Sequence, residues 1–174
     1  MPEQPENLQD LGVLVPHFLL MRDARIVPLA DKMWEKSGRN NDKMIEIAFD
    51  FITTNIYYIT DREAFQQEEF IQTPGEMISE SGGFGDCGNS SLLMVSLLYY
   101  KGVPCRMVFG YAGTSSHRWV EAFYKGTWTV FDTTNGNTFP TSERAQHKYD
   151  ALFFVTPYSF SLAKLPFVPP LFLP

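Results

Sequence analysis

Gly82-Gly83-Phe84-Gly85-Asp86-Cys87-Gly88-Asn89-Ser90-Ser91, running into Leu92-Leu93-Met94-Val95-Ser96-Leu97-Leu98-Tyr99-Tyr100, decides how the rest of the chain is read. A glycine-rich loop passes into a capping residue, a cysteine and an apolar stretch long enough for a buried helix. Asp86 suits the N-cap, because its carboxylate can accept the free backbone N–H groups of the first turn. Cys87 then takes the first helical position. There the unpaired N–H groups and the positive end of the helix dipole favour a thiolate and could receive a developing oxyanion. A cysteine ahead of an apolar helix also serves as core filler, free cysteine being among the most buried residue types. This segment alone leaves both readings open.

The 174 residues suit a single domain with a substantial core. A formal charge of −6 and a sequence pI near 5, with no lysine or arginine cluster, argue against a nucleic-acid partner, since that binding rests on neutralising phosphates. The two cysteines, Cys87 and Cys105, make no disulfide framework, and no CxxC pair suggests zinc, so no cofactor or metal is expected. Met1 to Glu6 is acidic and lacks the basic-then-apolar layout of a signal peptide, and no apolar run approaches the roughly 20 residues of a bilayer span. The chain therefore reads as soluble and cytoplasmic, without a transmembrane segment.

Taken in order, residues 1–15 form a polar lead-in, and the stretch to Val27 has no firm period. Pro28 suits the first turn of a helix to Lys36, with Leu29, Met33 and Trp34 inward. Asn41 or Asp42 caps a second helix to Tyr57, where Met44, Ile45, Ala48, Ile52 and Ile56 fall at helical spacing. Thr73 to Glu76 reads as a turn. Beyond the cysteine helix, Gly102 and Pro104 stop the helix, and Val103 to Tyr111 is strand-like. Ala112 to Ser116 is a loop. His117 to Tyr124 and Thr127 to Asp132 are strands joined by Lys125-Gly126, a two-residue hairpin. Thr133 to Arg144 reads as a polar loop and Tyr149 to Val155 as a last strand. The proline-rich apolar tail, 156–174, is expected to lie across the domain surface, dock a partner or plug the protein's own cleft. The order predicts an α+β domain spanning 1–174, with a helical N-terminal layer and the cysteine helix packed on an antiparallel sheet.

A nucleophilic cysteine needs a base and a group that holds the base. Of His17, His117 and His147, only His117 opens a firm strand. A turn at 125 and 126 pairs Phe123 with Trp128 and, continued outward, Trp119 with Asp132. Alternation then puts His117, Trp119, Glu121 and Asp132 on one face, with His117 and Asp132 diagonal neighbours about 7–8 Å apart. A bulge between them would break that placement. Each residue alone reads as a strand-end feature. Together, beside a capped cysteine, they point to a Cys87-His117-Asp132 triad. Trp119 is expected to pack beside His117, Glu121 to bind a substrate amine or satisfy a loop, and Cys105 to be core.

Gly85-Asp86-Cys87, Gly102-Val103-Pro104-Cys105-Arg106-Met107-Val108-Phe109-Gly110-Tyr111, His117-Arg118-Trp119-Val120-Glu121 and Trp128-Thr129-Val130-Phe131-Asp132-Thr133-Thr134 together resemble the transglutaminase-like core, which has a papain-like arrangement of cysteine on a helix and histidine and aspartate on a sheet. Cys105 stands where that family usually has alanine, and Thr133 where proline often follows the aspartate. The resemblance implies that Cys87 attacks an amide or ester carbonyl to form a thioester. His117 would take the thiol proton and return it to the leaving amine, and Asp132 would fix the imidazole tautomer. The backbone N–H of Cys87 is the expected oxyanion donor; a second donor is not evident in the sequence.

Water as acceptor makes a peptidase or amidase, and a lysine amine makes a glutamine-lysine crosslinking transglutaminase. Calcium-regulated crosslinkers of the family carry extra β domains, and its deglycosylating members carry zinc-binding cysteines that this chain lacks. The expectation is a thiol peptidase or amidase acting on a peptide or protein. Transglutamination is the alternative, and a catalytically idle peptide-binding module the second one.

Overall fold

The computed structural model describes residues 20–67, 69–79 and 83–163. The polar lead-in over 1–15, and the tail beyond residue 163, lie outside them. After a single 3-10 turn, Ala24–Ile26, capped by Asp23, the first helix α1 runs Val27–Lys36 with Pro28 in its first turn. It buries Ala30 and Met33, while Leu29 and Trp34 are half-buried against the same core. Helix α2, Asn41–Asn55, buries Met44, Ile45, Ala48, Phe49 and Ile52. Its cap is Asn40 rather than Asn41 or Asp42, because Asn40 is the extended residue (φ −107, ψ 127) whose side chain accepts from the Lys43 N–H at 3.0 Å.

Strand β1, Tyr57–Tyr58, lies parallel to β2, Phe84–Gly85, and two short helices, α3 (Asp61–Phe65) and α4 (Pro74–Ser79), fill the connection. The turn expected at Thr73–Glu76 is instead the start of α4. Thr73 Oγ1 accepts from the Glu76 N–H at 3.3 Å while Glu76 Oε2 accepts from the Thr73 N–H at 2.8 Å, a reciprocal capping box with Pro74 at the first helical position.

Helix α5, Cys87–Tyr99, is buried continuously from Gly88 to Leu98, as suits a helix that is apolar on all sides. It packs between α1, α2 and α4 and an antiparallel sheet of β3 (Cys105–Ala112), β4 (Ser115–Tyr124), β5 (Thr127–Asp132), β6 (Asn137–Pro140), β7 (Tyr149–Val155) and β8 (Phe160–Leu162). Spatial order is β6-β5-β4-β3-β7-β8. Alternation sends Met107, Phe109, Val120, Ala122 and Phe131 toward the helices. Val108, Trp119 and Val130 join Phe139, Tyr149 and Ala151 in a second cluster on the other face. The fold is α+β, with its helical layer on one side of the sheet.

Three connections differ from expectation. Ala112 to Ser116 is no loop: β4 begins at Ser115, so His117 is its third residue and only Gly113-Thr114 separates β3 from β4. The expected polar loop after Asp132 contains β6, an edge strand whose proline needs no ladder donor there, and a 3-10 turn at Thr141–Glu143. The tail segment after Thr156 contributes β8, which pairs with β7 at the opposite edge of the sheet. The β4–β5 ladder is continuous from Val120↔Phe131 to Tyr124↔Thr127. The bulge lies between β3 and β7, where Phe109 faces Phe153 and Gly110 faces Ala151, leaving Leu152 as the extra residue. Backbones approach so closely there that a Cβ on Gly110 would sit 2.0 Å from the Asp150 carbonyl oxygen.

Candidate active site

The first turn of α5 is built as its sequence predicts. Asp86 accepts the Asn89 N–H at 2.9 Å, and Ser90 Oγ donates back to the Asp86 carbonyl at 2.8 Å. Cys87 follows as the first helical residue and is half-buried. Asn89 anchors the chain ahead of it: its Oδ1 accepts the Gln72 N–H at 3.0 Å, and its Nδ2 donates to the Phe70 carbonyl at 3.2 Å and to Asp61 Oδ1 at 3.3 Å. Burial pushes the Asp61 carboxyl up to about 6, although the Phe70 N–H opposes the shift.

Arg118 lies across this turn. Its Nη2 donates to both oxygens of Glu69 at 2.9 and 3.0 Å, its Nη1 is 3.8 Å from Asp86 Oδ2, and its guanidinium stands 5.3 Å over the Phe109 ring. A Cβ at position 88 would meet Arg118 Nη1 at 2.7 Å, which accounts for Gly88. Burial opposes the charge on Arg118, but the bond to Glu69 and the fields of Glu69, Cys87 and Asp86 outweigh it. A fixed cation therefore sits beside the N-terminal end of α5, reinforcing the dipole.

On β4 and β5 the structure brings His117 and Asp132 into direct contact, with Nε2 and Oδ2 2.8 Å apart. Asp132 is fully buried, and its other partners are the Thr134 N–H at 3.0 Å, Asn135 Nδ2 at 2.9 Å and the Tyr149 hydroxyl. Burial alone would raise the Asp132 carboxyl, yet His117, Tyr149 and the Thr134 N–H bring it below the usual range. For His117, burial works downward, but hydrogen bonds to Asp132 and Cys87, with their charges, push the imidazole up to about 9. Since Nε2 is taken by Asp132, Nδ1 is the ring nitrogen left for the sulfur.

At this end of the sheet the first turn of α5 meets side chains from both faces. Arg118 presses on Gly88 from one, and His117, one residue before it in the chain, is hydrogen-bonded to Cys87 from the other. Thr133 closes the arrangement, its hydroxyl 2.8 Å from Ser90 Oγ. A threonine thus ties the Asp132 strand to the cysteine helix where proline often stands.

Behind His117, the ring of Trp119 stacks at 6.2 Å and 24°, and Tyr149 meets both rings edge-on. Trp119 Nε1 donates to Glu121 Oε1 at 3.3 Å. Glu121 is not available to a substrate amine: it is fully buried, bonded to Arg106 Nε and Nη2 at 2.9 and 2.7 Å and paired with Arg144 at 3.2 Å. Cys105 is turned inward with its thiol 3.7 Å from the Val95 carbonyl, and burial pushes that thiol up to about 12. It is core, as expected. The sequence reading missed Arg118, Glu69, Asn135 and Tyr149. Only Arg118 carried a local signal, as a charged residue in a strand whose neighbours on its face, Val120 and Ala122, are apolar.

A cavity of about 480 Å³ opens beside the site. Its walls include Thr53, Asn55, Tyr58, Gly85, Ser90 and Thr133, so it begins two residues before Cys87 and one after Asp132. Burial is the main cause that lifts the Tyr58 hydroxyl above its usual range, with the charges of Cys87 and Asp86 adding to it. Among the described residues no helix is long and apolar enough to cross a membrane.

Residues 28–133 match the sequence profile of the transglutaminase-like superfamily. The uncharacterized protein YebA of Bacillus subtilis (strain 168) is 26% identical over 129 residues, which span 63% of this chain and 16% of that protein. Among solved structures, LapG of Legionella pneumophila superposes with a TM-score of 0.63 at 19% identity, covering 79% of this chain and 75% of LapG. A candidate cysteine protease from Cytophaga hutchinsonii gives a TM-score of 0.51 at 20% identity, covering 91% of this chain and 58% of its own. At these identities the structural likeness is one of fold.

Proposed function

The chain belongs to the transglutaminase-like superfamily, whose profile covers residues 28–133, and on that footing we propose that it is a thiol peptidase or amidase that works through a thioester on Cys87. The observation that carries this reading is the 2.8 Å contact of His117 with a buried Asp132, in a site where the Cys87 sulfur itself helps hold the imidazole charged. Such a pair keeps the imidazole protonated beside the sulfur, ready to give its proton to a leaving group. Cys87 attacks the amide carbonyl, and the oxyanion is received by the Cys87 N–H at the head of α5. The imidazolium gives its proton to the leaving amine, and Asp132 and Arg118 hold the charges in place meanwhile.

Hydrolysis is favoured over amine transfer because the adjoining cavity is open to water, with Thr53, Thr54, Asn55, Tyr57 and Tyr58 of its lining exposed. The test is twofold. Iodoacetamide should alkylate Cys87 and spare Cys105, and His117→Ala should slow Cys87 alkylation at least tenfold at pH 7. Quenched fluorescent peptides should then be cleaved, with a fluorescent primary amine failing to appear in the acyl product. Equal alkylation of Cys87 with and without His117 would remove the activated nucleophile, and amine incorporation exceeding cleavage would turn the assignment to transglutamination.

A further inference from the structure

We infer that the cavity beside Gly85 is a substrate subsite that selects neutral, hydrogen-bond-donating side chains (asparagine, glutamine, serine or threonine) and rejects carboxylates next to the bond that is cleaved. The inference rests on reading Cys87 as the nucleophile and adds the class of substrate.

Three observations carry it. The first is charge. The chain has 14 basic and 20 acidic residues, yet none of the described residues lining the cavity is charged. A carboxylate bound there would give up part of its hydration with no counter-charge in the lining to replace it.

The second is the direction of the hydrogen bonds. Thr53 Oγ1 donates to the Phe49 carbonyl at 3.0 Å, Asn55 Nδ2 to the Phe51 carbonyl at 2.8 Å and Ser90 Oγ to the Asp86 carbonyl at 2.8 Å. Those three protons are committed to the backbone, and what the Thr53 and Ser90 hydroxyls keep for a ligand is oxygen lone pairs. The third is the end of α2 at Asn55. The last carbonyls of a helix have no intrahelical partners and carry the negative end of its dipole, so this wall attracts donors and repels anions. On the opposite wall Thr134 offers a buried hydroxyl with no partner among the described residues. At about 480 Å³ the space suits a short peptide segment rather than one side chain.

The experiment compares isosteric pairs. Quenched decapeptides are prepared with asparagine or aspartate, and glutamine or glutamate, at each of four positions on either side of the cleaved bond. At one position or more the amide peptide should be cleaved at least tenfold faster, in kcat/KM, than its acid counterpart. Thr54→Lys, an exposed substitution on the cavity wall, should bring that ratio to threefold or less by supplying the missing counter-charge. Equal cleavage of amide and acid peptides at every position overturns the inference, as does a ratio unchanged by Thr54→Lys.

A second measurement separates this from failure of the enzymatic reading. In the Cys87→Ala protein, which cannot turn over, the amide peptides should shift the NMR signals of Thr54 and Thr134 while the acid peptides leave them in place. If no peptide is cleaved but these shifts appear, the subsite stands and the peptidase assignment falls. If neither peptide moves them, the subsite falls.

Discussion

Replacing Asp132 with asparagine tests the central pair directly. His117 is raised from 6.5 to about 9 by Asp132 and Cys87 together. At about 1.4 kcal/mol per tenfold change in acidity this amounts to roughly 3 kcal/mol favouring the imidazolium. Assigning about half of it to Asp132 leaves 1–2 kcal/mol attached to that carboxylate. The sign follows from linkage. A folded-state value above the unfolded one gives stability that is complete below pH 6.5 and lost as pH rises through about 9.

In a Cys87→Ala background, where only Asp132 remains as partner, the His117 ring proton should titrate clearly above 6.5 by NMR. Asp132→Asn should bring it below that value, because burial then acts unopposed. Urea unfolding at pH 6 should show the asparagine variant less stable than its parent by 1–2 kcal/mol more than at pH 9.5. If His117 titrates near 6.5 with the carboxylate present, or the stability gap does not change with pH, the ion pair does not exist as described.

Other substitutions follow from the same geometry. Tyr149→Phe removes a donor from a charged carboxylate that keeps three others, so the loss in urea unfolding should be about 1.5 kcal/mol, the low end for such bonds. Gly110→Ala places a methyl 2.0 Å from a main-chain oxygen that cannot turn aside, and should cost about 3 kcal/mol or more; a loss below 1 kcal/mol would mean that β3 and β7 separate easily. Glu121→Leu strands Arg106 and Arg144, but each side chain keeps 23% of its surface in solvent, so the cost should sit near 3 kcal/mol in the same assay. Arg118→Met keeps the stem packed on Phe109 and removes the charge; Cys87 alkylation should slow severalfold, and an unchanged rate would take Arg118 out of the reactive centre.

The features legible in the sequence are those with a local cause. Asp86 before an apolar run announces the capped helix, because the cap and the N–H that donates to it are three residues apart. His117 and Asp132 could be placed on one face because a two-residue turn sets the pairing of both arms, and Phe123 does face Trp128. The Thr73-x-x-Glu76 capping box was equally local, but its Pro-Gly pair carries a turn signal that outweighed it. What stayed hidden depends on strand order. Tyr149 reaches Asp132 through β7 lying beside β3, and Glu69 reaches Arg118 from 49 residues away. Neither short-range pattern nor period encodes such meetings. Glu121 was misjudged for the same reason, since its burial depends on Arg144 arriving from the far side of β6.

The hairpin of β4 and β5 has a consequence in time. His117 and Asp132 are 15 residues apart and joined by a tight turn at Lys125-Gly126, both at positive φ. Hairpins of this size close in about 1–10 μs, so acid and base can meet as soon as the two strands zip. Cys87 joins them only after α5 has docked on the sheet, an event that pairs distant segments and waits on the hydrophobic core. Under the proposed function, the base and its carboxylate are joined within one hairpin, and the sulfur reaches them only where α5 packs on the sheet.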